Sequence, residues 1–392
     1  MSNKNKVLLI GSSFSAISLL IYIKKLGYSV SVCGALKDDP CHLYADESFY
    51  IDYSKKDELL KLCKNNHFDF IVPTCNDFSY NSASYVATEL GLYFGFDNYQ
   101  TTMLLHTKDS FKEFTQKNKF NVSKTYTSEE VLGDNGDIKY PLLIKPVDSF
   151  SGKGVTKIGI KEELYDAISI AEQNSRDKTA IIEEFINGTL HSHSAFIQDG
   201  KITDEFFVDE FCSVYPYQVD SSSMAVNLSN KVKNGMSTSI EKLISLLNLS
   251  DGLMHTQFIV DGDDFWLIET MRRCPGDLYG ALIEKSTGSL YTELYVMPFL
   301  NKKVLKQESE KINKYIARHT VSVKNQYLFQ SFSHTIPSEK IDIYPLKESG
   351  HILKVAPFDK VGILFAEFKD IDELAKYTPL LNTFINIDKK ED

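Results

Sequence analysis

Residues 142–155 read LLIKPVDSFSGKGV. An apolar run carries Lys145 to its end, Pro146 stops it, and Ser149, Ser151, Gly152, Lys153 and Gly154 follow closely. Glycines let backbone N–H groups approach oxyanions, and a lysine adds a mobile point charge, so the segment suits a phosphate. It does not fit the P-loop, whose lysine comes after the glycine-rich loop and opens a helix. A lysine on a strand with a flexible Ser/Gly/Lys loop after it belongs to another kind of nucleotide site.

The totals bound what such a site can belong to. The chain has 392 residues, enough for two or three domains, and is 43% hydrophobic and 24% charged. A net charge of −10 argues against a broad nucleic-acid surface and leaves room only for a local basic pocket. Six cysteines without a C-x-x-C pair read as reduced thiols rather than a disulfide or zinc framework. The apolar run VLLIGSSFSAISLLIYI near the N-terminus is interrupted at Gly11-Ser12-Ser13 and reads as strand, turn and helix. No segment has the length of a membrane span, and a cytoplasmic location is expected.

Strand and helix patterns alternate over the first hundred residues: strands at 7–10, 28–33 and 68–73, helices at 14–26 and 56–65. That succession predicts a parallel, doubly wound sheet. The turn Gly11-x-Ser13-x-x-Ala16 is a loosened dinucleotide fingerprint, and a close strand-to-helix turn explains it too. A helical stretch is expected over 101–118. Beyond Pro141 come hairpins turning at Asp199-Gly200 and at 262–264, helices at 238–247 and 278–284, and a β-rich end with one helix near 370–377.

The second hairpin places Gln257 opposite Glu269, Phe258 opposite Ile268 and Val260 opposite Trp266. Two oxygen-bearing side chains then share a face, as a hard cation such as Mg²⁺ requires. In IETMRRCPGD, Arg273 follows Glu269 by four residues and can hold a second anion, while Arg272 and Arg273 also fit an ordinary solvated pair. Cys274 reads as a packing residue. The stretch AIIEEFINGTLHSH ends a strand in Glu183-Glu184-Phe185-Ile186 and breaks at Asn187-Gly188. His191 and His193 share a strand face, but no third metal ligand stands at suitable spacing.

The ordered set Lys108, Lys145-Pro146, the loop Ser149–Gly154, Glu183-Glu184-Phe185-Ile186-x-Gly188, Gln257, Glu269 and Arg273 resembles the ATP-grasp superfamily, in the branch of carboxylate–amine ligases and biotin carboxylase. The resemblance implies an α/β and α+β architecture. A Rossmann-like parallel sheet (1–100) would precede an ATP-grasp domain (101–300) with a mobile lid at about 120–185, and a small β-rich domain (301–392) would close the chain.

The resemblance also implies roles. Lys145 contacts adenine and the α-phosphate, and Lys108 is a second phosphate lysine. Ser149, Ser151, Gly152, Lys153 and Gly154 form a flap over the β- and γ-phosphates, with Lys153 counted as catalytic. Glu183, Glu184, Phe185 and Ile186 read the adenine edge, and His191 stands near the nucleotide. Glu269 and Gln257 hold Mg²⁺, with Mn²⁺ as a substitute, and Arg273 binds the reacting carboxylate or acyl phosphate. Three positions depart from the family pattern: glutamine at 257 where glutamate is usual, Met271 for asparagine, and Leu190 for an acid.

The implied reaction is ADP-forming activation of a small carboxylate as an acyl phosphate, followed by coupling to an amine. The alternatives are a bicarbonate-activating carboxylase and a noncatalytic ATP-binding module. Small-molecule carboxylate and amine partners are expected, without nucleic acid or membrane, and a homodimer is allowed. Asn76 and Asp77, at the end of the 68–73 strand, are candidate substrate contacts that a simple turn explains equally well.

Overall fold

The computed structural model describes residues 4–92, 94–133, 138–149, 152–304 and 312–390. Four short strands, β1 (Lys6–Ile10), β2 (Ser29–Cys33), β3 (Glu47–Phe49) and β4 (Phe70–Pro73), form a parallel sheet in the order β3-β2-β1-β4. Val7–Ile10, Val30, Val32 and Val72 are buried, because a parallel sheet is covered on both faces. β3 is partly exposed, and its ESF sequence carries little strand pattern. The strand-end residues Pro73–Asn76 lead into the helix Asp77–Leu90, capped by Asn76, whose side chain accepts from the Ser79 N–H.

The helix expected over 101–118 is two helices, Tyr99–His106 and Lys108–Lys117. Thr107 between them is extended (φ −102°, ψ 123°), and this break aims His106 and Lys108 separately. A small antiparallel sheet follows, ordered β5 (Thr125–Tyr126), β8 (Ala180–Glu184), β6 (Leu142–Pro146), β7 (Thr156–Ile158). The helix Leu164–Gln173 packs Leu164, Ala167 and Ala171 against Leu142, Ile144, Ile158 and Ile182 of that sheet.

The largest sheet has eight strands. They are β9 (Thr189–Gln198), β10 (Lys201–Phe211), β11 (Ser221–Met224), β12 (Gly252–Asp261), β13 (Asp264–Met271), β14 (Tyr315–Val321), β16 (Lys340–Pro345) and β18 (Gly362–Phe368). Their order is β13-β12-β9-β10-β11-β14-β18-β16, so the last third of the chain is hydrogen-bonded into the same sheet as the middle third. β15 (Tyr327–His334), β17 (Ile352–Leu353) and β19 (Ile385–Lys390) make a separate three-stranded sheet.

Strand alternation divides the faces of the large sheet. Ala195 and Ile197 of β9 pack with Val232, Met236, Ile240 and Leu243 of the helix Asn230–Leu247. Phe196 points the other way, into the core shared with Tyr279, Leu282, Tyr291 and the first sheet.

Both expected hairpins form. Asp199 (φ 52°) and Gly200 (φ 73°) give two left-handed residues, the turn that matches strand twist. The β12–β13 hairpin pairs Gln257 with Glu269 as expected, but beyond that point the register shifts and Phe258 faces Leu267, Ile259 faces Trp266 and Val260 faces Phe265. A two-residue turn, Gly262-Asp263, is closed by the Asp261–Asp264 pair, and Ile268 is the extra residue that reconciles the two registers.

Candidate functional site

A cleft of about 730 Å³ opens between the small sheet, the eight-stranded sheet and the carboxyl end of the first sheet. At one end Lys145, on β6, lies 3.0 Å from Glu183 on the neighbouring β8. Lys112 approaches the other carboxylate oxygen of Glu183 at 3.5 Å, and Ser123 donates to it at 2.7 Å. Burial alone would raise the Glu183 pKa, but the two lysines outweigh it and bring it down to about 2. Burial lowers Lys112 to about 8 despite Glu183. Glu183 is therefore the anionic centre that two buried lysines share, a side-chain role that the strand-end pattern did not specify.

The β6–β8 ladder ends at Glu184, and Glu183, Glu184, Phe185 and Ile186 all line the cleft beside Leu143, Leu190 and Ile259. This is an apolar slot with main chain at its rim. Gly188 is required here: a Cβ on it would sit 2.3 Å from the Val260 carbonyl oxygen. Lys108 opens its helix facing the cleft and donates to the Ser149 carbonyl at 2.6 Å while lying 3.5 Å from Glu269.

The loop is stapled across by Ser149 Oγ, which donates to the Lys153 carbonyl at 2.8 Å. Gly152 has φ +70°, and a Cβ there would meet the main chain of Tyr217 at 2.8 Å, so the loop lies flat on the Pro216–Tyr217 turn. Lys153 stands over the Phe358 ring, 5.1 Å from its centroid, and Gly154 packs against Asn174 and Pro146. Lys153 and Gly154 are not on the cleft wall. Ser151 lies outside the described residues.

Gln257 and Glu269 both line the cleft. The Gln257 amide nitrogen donates to Glu210 Oε2 at 2.6 Å, which leaves its amide oxygen available to a cation. One carboxylate and one amide oxygen form a sparse donor set, and it fits Mg²⁺, which keeps waters and phosphate oxygens in most of its six positions. Glu210 is itself buried, and desolvation raises its pKa.

Arg273 reaches the same cavity but not as a free cation. Asp77 takes it bidentately, with Nε–Oδ1 at 3.1 Å and Nη2–Oδ2 at 2.9 Å. Burial would lift the Asp77 pKa, and Arg273 with His106 instead drives it well below the usual carboxylate range. Asp77 is thus more than a turn residue. Its neighbour Arg272 has left the site: it is fully buried, 2.8 Å from Asp97, and its N–H donates to His106 Nε2. The solvated-pair reading of Arg272 and Arg273 fails because both are interior and face opposite ways.

His191 is a correction. Leu190 lines the cleft, so the next residue on β9 faces the opposite side, where the His191 ring bonds Asp209 at 2.8 Å and Thr189 at 2.6 Å. His193 is engaged likewise with Glu205 at 2.9 Å. Cys274 is buried, with its Sγ 3.1 Å from that of Cys75.

Sequence reasoning missed Glu210, Asp277, Arg318 and Lys360, which all line the cleft. Asp277 is ion-paired with Lys360, and Arg318 donates to the Asp277 main-chain oxygen at 2.9 Å. Only the PGD turn after Arg273 pointed toward any of them.

Comparison with known proteins agrees with this geometry. Residues 138–279 match the model of the ATP-grasp domain. The formate-dependent phosphoribosylglycinamide formyltransferase of Prochlorococcus marinus subsp. pastoris is 27% identical over 303 residues, covering 76% of each chain. The L-amino acid ligase of Bacillus licheniformis superposes with a TM-score of 0.79 at 14% identity, over the whole of both chains. The phosphoribosylglycinamide synthetase of Anaerococcus prevotii gives 0.77 at 18%, over 99% of this chain and 100% of its own. No helix among the described residues is long and apolar enough to cross a membrane. Residues 138–279 are thus an ATP-grasp domain by their family-model match, and the mixed α/β fold around them is the one that these structures share.

Proposed function

We propose that the protein is an ATP-dependent, ADP-forming ligase that activates a small carboxylate as an acyl phosphate and couples it to an amine. One observation carries this reading: Lys108 from a helix, Lys145 from β6, Glu269 from β13 and Arg273 from the segment just after β13 face one cavity large enough for a nucleotide and a second substrate. Lys145, paired with Glu183, and Lys108, between the loop carbonyl and Glu269, would neutralise phosphate oxygens. Glu269 and the Gln257 oxygen would hold Mg²⁺, which supplies charge neutralisation for phosphoryl transfer when bound.

Arg273, fixed by Asp77, orients the carboxylate for attack on the γ-phosphorus, where a carboxylate O–P bond forms, the bridging O–P bond to the β-phosphate breaks and ADP leaves with the electron pair. The amine then attacks the acyl carbon. A C–N bond forms, the bond between the acyl carbon and the phosphate oxygen breaks, and phosphate leaves with the electron pair, while the two protons lost from the ammonium go to phosphate and solvent. No side-chain nucleophile is needed.

The test is ADP and phosphate release from Mg-ATP with formate, pooled small carboxylates and amines, each with and without bicarbonate, using Glu269→Ala as control. Stimulation by carboxylate plus amine that vanishes in Glu269→Ala is the expected result. Release that depends on bicarbonate alone would replace the reading with the carboxylase alternative. ATP binding without stimulated release by any pool would favour a noncatalytic module.

A further inference from the structure

Four basic side chains among the described residues are buried: Lys112, Lys145, Arg272 and Arg318. The lysines share Glu183, and Arg272 has Asp97. Arg318 differs. It is 3% exposed, its Nε donates to Ser222 Oγ at 2.9 Å and its Nη1 to the Asp277 carbonyl at 2.9 Å, and no described carboxylate lies within ion-pair distance. Its remaining nitrogen, Nη2, has no acceptor among the described residues, and the residue lines the cleft.

The buried acids show the mirror case. Asp97 and Glu183 have their cations, Asp209 has His191, and Asp220 lies 3.8 Å from His319. Glu210, 5% exposed and also on the cleft wall, has the neutral Gln257 amide and no described cation within ion-pair distance.

These two charges, each beyond ion-pair distance of a counter-charge among the described residues but near enough to feel one another, lie on one line across the sheet. Glu210 on β10 pairs with Ser222 on β11, and Ser222 pairs with Arg318 on β14. Directly opposite residues share a face, and two strand spacings put the main chains of Glu210 and Arg318 roughly 10 Å apart. The residue between them is Ser222, a small side chain whose Oγ accepts from Arg318 Nε. A charge taken out of water without a counter-charge is strongly unfavourable. An acid and a base held apart over one small residue, both open to the same cavity, match a ligand with an ammonium and a carboxylate a few bonds apart.

We infer that Glu210 and Arg318 form the acceptor subsite and bind a zwitterionic amine, an α-amino acid, with its ammonium on Glu210 and its carboxylate on Arg318. The orientation follows from the neighbours. Glu210 touches Gln257, which pairs with Glu269, whereas Arg318 lies two strands farther along and is bonded to the Asp277 main chain beside Lys360. The amine end faces the proposed phosphoryl-transfer groups and the carboxylate end is turned away, as an acceptor requires. The word acceptor rests on the ligase reading above; the zwitterion site does not.

The experiment is calorimetric titration of the full chain with the standard L-amino acids, first mixed and then singly, followed by ethylamine, propionate and O-phosphoethanolamine. At least one amino acid should bind, with ethylamine and propionate at least about tenfold weaker, since each leaves one buried charge unmatched. Arg318→Gln should reduce the amino acid to the affinity of ethylamine, and Glu210→Gln should reduce it to that of propionate. A merely structural role would not produce that crossed pattern.

The inference falls if no amino acid binds, or if its affinity survives both substitutions. It falls equally if Glu210→Gln changes Mn²⁺ affinity and leaves the amino acid alone, because Glu210 then belongs with the metal ligands. Tighter binding of O-phosphoethanolamine than of every amino acid would overturn the carboxylate assignment in favour of a phosphorylated amine. Should Arg318→Gln fail to fold, the Glu210→Gln arm decides. Amino-acid binding that needs both residues, without ADP release, would sink the ligase reading and keep the subsite. ADP release stimulated equally by ethylamine, and indifferent to Glu210→Gln, would do the reverse.

Discussion

The two ends of the cleft are built differently. At the small-sheet end, the polar groups come from a compact stretch of chain: Lys145 and Glu183 sit on adjacent strands, and Ser149–Gly154 follows Lys145 directly. At the other end, Asp77, Glu210, Arg273, Asp277, Arg318 and Lys360 arrive from elements distributed over most of the sequence. The first end matches charges within itself. The second holds Glu210 and Arg318 by neutral hydrogen-bond partners, with no counter-charge among the described residues within ion-pair distance, so it is the end whose chemistry a ligand would complete.

The neighbours Arg272 and Arg273 give the largest test of this contrast. Arg272 and Asp97 form a buried pair with less than a twentieth of either side chain exposed. Asp97→Asn should lower unfolding stability by about 3–5 kcal/mol, because a buried guanidinium loses its counter-charge. The folded fraction should keep its turnover number. Urea denaturation and rate per folded molecule check both halves, and an unchanged midpoint would mean that the Arg272 pair is dispensable. Arg273→Ala should reverse the pattern, with kcat falling about 10²–10³-fold as an orienting donor to developing charge disappears. If Arg273→Ala changes only the denaturation midpoint, Arg273 is a structural partner of Asp77 and nothing more.

Much of this contrast also decides what could be read from sequence. The strands at 7–10, the helix Lys56–Asn65 and both hairpins follow from local periodicity and turn residues, and they were legible. Gln257 opposite Glu269 was legible because a hairpin fixes its own register, and Ile268 was not, because a bulge arises where the turn and the site demand different registers. His191 was misplaced because H-x-H shows which residues share a face, not which face the cavity occupies. Glu210 and Arg318 became neighbours only through the β10-β11-β14 order, with more than a hundred residues intervening, and one sequence carries no local signal for such pairing. The extended Thr107 likewise hides inside a strong helical pattern, since the break is imposed by where His106 and Lys108 must point.

The charge matching at the small-sheet end can be titrated. The folded-state pKa of Glu183, about 2, lies below its ordinary value of 4.5, so its contribution to stability is fully present above about pH 4.5 and is lost as pH falls toward about 2. A difference of that size corresponds to an upper bound on the order of 3 kcal/mol. Urea unfolding at about pH 5 and pH 3 should show wild type losing a share of this that Glu183→Gln does not lose. Parallel losses in both proteins would mean that Glu183 does not carry the charge of Lys112 and Lys145.

The smallest effect concerns how the two ends communicate. The loop residues Gly152 and Lys153 reach across to the far side, Gly152 against the Tyr217 main chain on the cleft wall and Lys153 over the exposed Phe358 ring behind it. Burial and the nearby Lys360 charge both lower the Lys153 pKa, and the aromatic face of Phe358 favours its cation. Phe358→Leu keeps the apolar bulk and removes the ring, and a partly exposed cation–π contact is worth about 0.5–1 kcal/mol. The KM for ATP should therefore rise about two- to fivefold with kcat nearly constant, because the contact positions the loop before chemistry rather than during it. A fall in kcat at unchanged KM would place Phe358 in the transition state instead. No change in either would detach the loop from the far wall, and the two ends of the cleft would then have to be regarded as working independently.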